Sequence, residues 1–277
     1  MQFVNMSMEI ANSFYNAYNQ YMTRSFQCQA IVLSIKECGE NNSNVTLLTP
    51  EQGILYATLY GGPKSRLRSL VSLWNCGNIW FYENPEKSQT KITDFEVKSF
   101  HNSFGENLFK MYAASLASEL AIKTRCGGSN GECFTLVKGF LDGMELCNEE
   151  QSRLGLLRFL WRFLELLGLM PDVHCCCHCG KEFTNISFAD EMISHYNNIE
   201  NSFICPECTA ENHKSDFSVS IKGVRYLAAI TFLKPSESRK IQIDKNCYEQ
   251  LKQLIFFLIE NAVSQKLNTI ETGLGIL

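Results

Sequence analysis

The sequence predicts an α+β chain in two parts: a small N-terminal β-barrel, then a helical domain carrying a cysteine-rich insert. Three observations predict it. Residues 26–100 alternate short β-branched and aromatic runs with turn residues. Beyond residue 102 the apolar residues recur at helical spacing. Of thirteen cysteines, Cys175, Cys176, Cys177 and Cys179 crowd together, with Cys205 and Cys208 following. A length of 277 residues suits two domains at about 150 residues each. With 45% hydrophobic and 12% aromatic residues the chain can bury a sizeable core, which excludes wholesale disorder, collagen and coiled coil.

In the first part, QCQAIVLSI, NVTLLT, GILYATLYG, a run over 71–82 and TKITDFEVKSF read as strands. CGENNSN, PEQG, GGPKSR and ENPEKS, rich in Gly, Pro, Asn and Ser, read as the turns between them. Five strands in about 75 residues imply a closed barrel, of which the OB-fold is the commonest five-stranded form; an SH3-like barrel would read much the same. The barrel domain is placed at 22–101, after an extension over 1–21, and the helical domain at 102–277. Helices are expected over 103–123, 132–146, 149–167, 220–232 and 244–266, the third stopped by Gly168 and Pro171.

The N-terminal 21 residues hold one charge, Glu9, and no apolar block of signal-peptide length. The longest apolar stretches, 154–170 and 251–259, fall short of the roughly 20 residues of a membrane span. A soluble cytoplasmic protein with no membrane partner is expected. The odd, uneven cysteine count fits a reducing compartment and metal ligands better than a disulfide scaffold.

The insert reads HCCCHCGKEF, a polar stretch, then CPEC. A Cys-x-x-Cys turn aims two thiolates at one metal, and a following Gly takes the left-handed turn conformation. Cys176 and Cys179, with Gly180 behind them, fit that form, and Cys205 and Cys208 supply the second half. Four sulfurs at about 2.3 Å make a closed tetrahedral zinc site, structural rather than catalytic. The 25 residues of the spacer, 180–204, exceed the usual interval. Cys175 with His178 offers a shifted register, with Cys175, Cys177, His174 and His178 otherwise bystanders. A redox pair lacks the βαβ surroundings it needs.

Lys64, Arg66 and Arg68 fall at alternate positions of GGPKSRLRSL and share one face if that segment is extended. They form the dense basic cluster of the barrel, in a chain whose 25 Lys and Arg against 29 Asp and Glu give a net charge of −4. Nucleic-acid binding, if present, must therefore be local. Tyr56, Tyr60, Trp74 and Trp80 could stack on bases or fill the barrel core. None of the five histidines (His101, His174, His178, His195, His213) has a nucleophile partner by motif, and GxxxxGK[ST], GxSxG and HExxH are absent.

Taken in order, AIVLSIKECGENNSNVTLLTPEQG, YGGPKSRLRSL, FLWRFLELLGLMPDVHCCCHCG and CPEC resemble the bacterial RecO family of recombination mediators over residues 22–266. Gly39 and Glu40 match the first turn, Thr49, Glu51 and Gly53 the second, and Lys64, Ser65 and Arg66 the basic loop. Cys176, Cys179, Cys205 and Cys208 match the metal ligands. The resemblance implies an OB-fold barrel, one structural zinc per chain and no enzymatic turnover. It implies binding of single- and double-stranded DNA, annealing, and loading of RecA with RecR onto strands coated by single-stranded-DNA-binding protein (SSB), in the nucleoid-associated cytoplasm of a bacterium. DNA contacts are expected at Lys64, Arg66 and Arg68, with Arg24 contributing. The acidic SSB tail needs an apolar pocket rimmed by cations. The helix with Arg153, Arg158 and Arg162 beside Leu157 and Trp161 is the candidate, unless Trp161 is core. The competing classes are a metal-stabilised enzyme with a scattered carboxylate pair and a transcription-associated zinc ribbon.

Overall fold

The computed structural model describes residues 25–62, 64–84, 88–185, 187–209, 217–263 and 265–277. The chain divides into two compact units between Phe100 and His101. The extension over 1–21 and Arg24 lie outside the described residues.

The first unit is a closed barrel of β1 (Ser25–Cys38), β2 (Asn42–Thr49), β3 (Gly53–Tyr60), β4 (Cys76–Asn84) and β5 (Gln89–Ser99), in the order β1-β2-β3-β5-β4. Period-two alternation sends Val45 and Leu47, Ala57 and Leu59, and Ile79 and Phe81 inward, where they meet Ala30, Val32, Ile92 and Phe95. Closure rests on β1. Its residues 25–31 pair with β4 and 31–38 with β2, and the register slips between Val32 and Ser34. Such a bulge bends the strand enough to serve both neighbours. Thr49 closes the β2–β3 turn: its Oγ1 accepts from the Gln52 N–H and donates to the Gly53 carbonyl.

Two sequence expectations for this unit are corrected. The strand expected over 71–82 begins only at Cys76. Trp74 takes a left-handed φ of 64° and is buried, its N–H donating to the Val32 carbonyl at 2.7 Å. The segment expected to be extended after GGPK instead forms a short helix, α1 (Arg66–Leu70).

The second unit opens with a 3-10 turn (Asn102–Gly105), followed by α2 (Leu108–Lys123), α3 (Asn130–Glu145) and α4 (Glu149–Leu166). Asn107 and Asn148 cap α2 and α4 by accepting the N–H of Lys110 and Gln151, each at 2.9 Å. A four-stranded sheet follows, of β6 (Asp172–Cys176), β7 (Ile193–Asn197), β8 (Ser202–Ile204) and β9 (Ser218–Ser220), ordered β6-β8-β7-β9. The one-turn helix α5 (Pro206–Thr209) follows β8. Then come α6 (Ile221–Phe232), α7 (Pro235–Ser238), α8 (Lys245–Ala262) and α9 (Asn268–Thr272). The helix expected to run over 244–266 ends at Ala262. Trp161 is fully buried and donates from Nε1 to Thr231 Oγ1 at 2.9 Å, tying α4 to α6. No helix among the described residues is long and apolar enough to cross a membrane.

Gly77 sits where β4 and β5 approach so closely that an added Cβ would lie 2.0 Å from the Glu96 carbonyl oxygen. Gly77→Ala is expected to destabilise the barrel by about 3 kcal/mol, checked by urea denaturation.

Candidate metal centre and nucleic-acid interface

The metal centre is built by two turns that converge. At the end of β6, the Gly180 N–H donates to the Cys176 carbonyl at 2.9 Å, and Gly180 itself takes φ 72°. After β8, the Cys208 N–H donates to the Cys205 carbonyl at 3.1 Å. Parallel pairing of β6 with β8 sets the turns side by side, and a Lys181–Glu207 ion pair links them. The sulfurs of Cys176, Cys179, Cys205 and Cys208 all lie within 4.8 Å of one another, and Cys179 and Cys205 are 3.7 Å apart. Thiolates at about 2.3 Å from a tetrahedral zinc would be about 3.8 Å apart, so the set fits a divalent cation.

The thiols titrate unequally. Burial works against ionisation of Cys176, but the backbone N–H groups of Cys205, Cys179 and His178 point at its sulfur and bring it down to about 7. Cys205 is held up, chiefly by burial, and Cys208, chiefly by hydrogen bonding with Cys179. The bystanders differ. Burial first, then nearby negative charge, pushes Cys175 and Cys177 up. Cys175 is in an isolated bridge to Glu182, and His174 packs its ring on Phe232. The register with Cys176 is the one that gathers four sulfurs.

Sequence reasoning missed what fastens the insert to the helices. Arg225 of α6 donates to the carbonyls of Phe183, Asn185 and Phe188 at 2.9 to 3.0 Å and pairs with Asp190. One guanidinium thus holds the loop between the two Cys turns.

In the barrel, Lys64 and Arg66 are exposed, and α1 directs Arg68 elsewhere. Residues two apart on a helix face different ways, so Arg66 and Arg68 do not share the face that an extended segment would give them. Arg68 is partly buried. Its Nη1 donates to the Gly61 carbonyl at 3.3 Å and Nη2 lies 3.7 Å from Glu37. Of the aromatic residues, Trp74 is core while Tyr56 is 67% exposed. The Tyr60 ring lies under Lys91 Nζ, and its hydroxyl accepts from Gln89.

In the helical unit, a groove of about 580 Å³ runs between α3 and α4. Its α3 wall carries Gly131, Thr135, Gly139 and Gly143, four apart and so on one face. Phe140 and Phe159 are among its apolar lining, and Arg158, Arg162 and Arg239 border it. Burial holds the Arg162 guanidinium below its usual value; Glu165 opposes it, and the charges of Arg158 and Arg239 add smaller lowering effects. Leu157 and Trp161 are fully buried core, the alternative to a place at the docking surface. Arg153 is spent on the Ile276 carbonyl and the Phe109 ring.

Residues 22–100 match the family model described as Recombination protein O N terminal, and 105–270 that described as Recombination protein O C terminal. The chain belongs to the RecO family. The DNA repair protein RecO of Moorella thermoacetica is 25% identical over 249 residues, covering 88% of each chain. That of Dehalococcoides mccartyi is 25% identical over 236 residues, covering 83% of this chain and 87% of its own. That of Heliobacterium modesticaldum is 32% identical over 161 residues, 57% of each. RecO membership makes this a DNA repair protein rather than an enzyme, and its closed five-stranded barrel is the OB-fold of the RecO N-terminal domain.

Cys179→Ser is expected to leave the barrel folded and render the second unit protease-sensitive, because binding energy at a closed thiolate site is folding energy; limited proteolysis with fragment mapping checks this. Arg225→Met should cost about 2 to 3 kcal/mol by leaving the carbonyls of the insert without their charged donor, measured by chemical denaturation.

Proposed function

We propose that this RecO-family protein is a recombination mediator. It binds single- and double-stranded DNA, anneals complementary strands, and helps load RecA, with RecR, onto strands coated by SSB. The observation that carries the reading is the exposed pair Lys64 and Arg66 on the barrel, in a chain whose overall charge repels a polyanion. Two cations on a rigid turn supply the local field that phosphate binding needs. Arg68 contributes by fixing the turn through Gly61 and by adding its charge, and Arg24, outside the described residues, is kept as a further DNA contact. The proposed role is carried out in the bacterial cytoplasm, at the nucleoid.

The groove between α3 and α4 suits the SSB tail: apolar walls for the terminal side chain, and for its carboxylates Arg239, with Arg158 and Arg162 adding charge from guanidiniums that also donate to the Ile241, Ile230 and Leu233 carbonyls. One zinc held by Cys176, Cys179, Cys205 and Cys208 supplies no chemistry on DNA. It fixes the insert against the helices.

Lys64→Ala/Arg66→Ala should flatten the slope of log affinity against log salt for a single strand by about 1.4, at about 0.7 per phosphate contact. An unchanged slope moves the contacts off the barrel. At Gly139, which lines the groove, an added Cβ meets nothing within 4 Å. Gly139→Leu should therefore fold at least as stably as the parent, by up to about 1 kcal/mol, yet lose capture by immobilised SSB. Retained capture, or capture indifferent to deletion of the SSB tail, contradicts the assignment.

A further inference from the structure

At the end of α6, Phe232 is 63% exposed and Leu233 is 37% exposed, in a helix whose other large apolar residues are mostly buried. The His174 ring of β6 lies against Phe232, centroids 5.0 Å apart and planes inclined at 47°. The backbone at His174 and next to Phe232 is hydrogen-bonded. The His174 N–H donates to Asp172, and its carbonyl accepts from the Phe183 N–H at 3.0 Å. The Leu233 N–H donates to the Ala229 carbonyl, and its own carbonyl accepts from Arg162 Nη2 at 3.0 Å. The chain then turns through α7, which begins at Pro235 and is closed by Glu237 accepting the Lys234 N–H. That turn presents Lys234, Arg239 and Lys240, all exposed.

We propose that the Phe232–His174 ring pair and the cations Lys234 and Lys240 form a second docking surface for single-stranded nucleic acid, on the helical unit. The proposal rests on the DNA-binding reading of the family and extends it beyond the barrel. A preorganised, exposed aromatic face beside cations is what sequence-tolerant strand binding uses: bases stack on the ring, and phosphates meet the ammonium groups. The charge is complementary. Residues 232–240 hold three cations and one acid, Glu237, whose carboxylate is engaged at the Lys234 N–H. An open ring favours the flat face of a base over a peptide side chain, which needs a concavity of the kind the α3–α4 groove supplies. A protein that anneals strands gains from two separate strand-binding surfaces, one for each partner strand.

The test uses the full chain and a labelled oligothymidylate of thirty nucleotides, with a bromodeoxyuridine version for photo-crosslinking. Phe232→Ala should weaken binding about tenfold with the salt slope unchanged, since stacking carries no counterions. Phe232→Trp should restore it. Lys234→Ala/Lys240→Ala should weaken binding and flatten the slope by about 1.4. Crosslinks should map to the peptides holding His174 or Phe232, and should persist in Lys64→Ala/Arg66→Ala. Wild-type binding with no such crosslink, or variants that bind like wild type, overturns the second surface while leaving the barrel reading intact. A wild-type protein that binds no oligonucleotide overturns both. Variants that keep DNA binding but lose binding to a poly-glutamate peptide assign the surface to an acidic protein segment and also overturn the proposal.

Discussion

Four sulfurs from two turns far apart in sequence meet within 4.8 Å, and the architecture of the insert depends on that convergence. Residues 172–209 form strands of three to five residues and one short helix, with Phe183, Phe188 and Phe203 as their small core. A segment below about 40 residues rarely buries enough apolar surface to fold by itself. A cation bound by the four thiolates would supply the missing free energy, and Arg225 ties the insert to α6 through three carbonyls. His174 is placed by β6, so the ring beside Phe232 also depends on the thiol site.

A second constraint concerns arginine. Arg68, Arg153, Arg158, Arg162 and Arg225 each donate to a backbone carbonyl at a loop or helix end. The planar, permanently charged guanidinium suits that task, satisfying backbone acceptors while keeping its charge partly hydrated. Counting cations therefore overstates what is offered to a polyanion. Lys64 and Arg66 on the barrel, and Lys234, Arg239 and Lys240 after α6, are exposed. This local distribution reconciles a net charge of −4 with a DNA repair family.

Legibility in the sequence tracks the range over which each feature is determined. The barrel strands were readable because Val45–Leu47 and Ile79–Phe81 alternate in place, and the four metal-ligand candidates because chelation by Cys-x-x-Cys is local chemistry. Geometry rather than spacing favours Cys176 over Cys175: its sulfur lies within 4.8 Å of those of Cys179, Cys205 and Cys208, and adjacent strand residues face opposite ways, so β6 turns Cys175 away from them. The conformation of the basic loop was misread because five residues of helix carry too little periodicity to distinguish from an extended run. The insert's strands were too short and polar to register. The groove had a local trace, Gly139 and Gly143 inside α3, where glycine costs about 1 kcal/mol against alanine and so asks for a reason. At Gly143 that reason is tertiary, since an added Cβ would lie 3.2 Å from the Arg239 guanidinium; Gly139 has no such neighbour.

The most direct measurement is titration of the native chain with a thiol-reactive mercurial while a zinc-sensitive dye reports released metal. One equivalent of zinc per chain, released in step with modification of the cluster and unchanged in Cys175→Ser and Cys177→Ser, is the expected result. Reaction of the cluster thiols without metal release, or one equivalent retained in a Cys176→Ser/Cys205→Ser double variant, would contradict a metal-held insert.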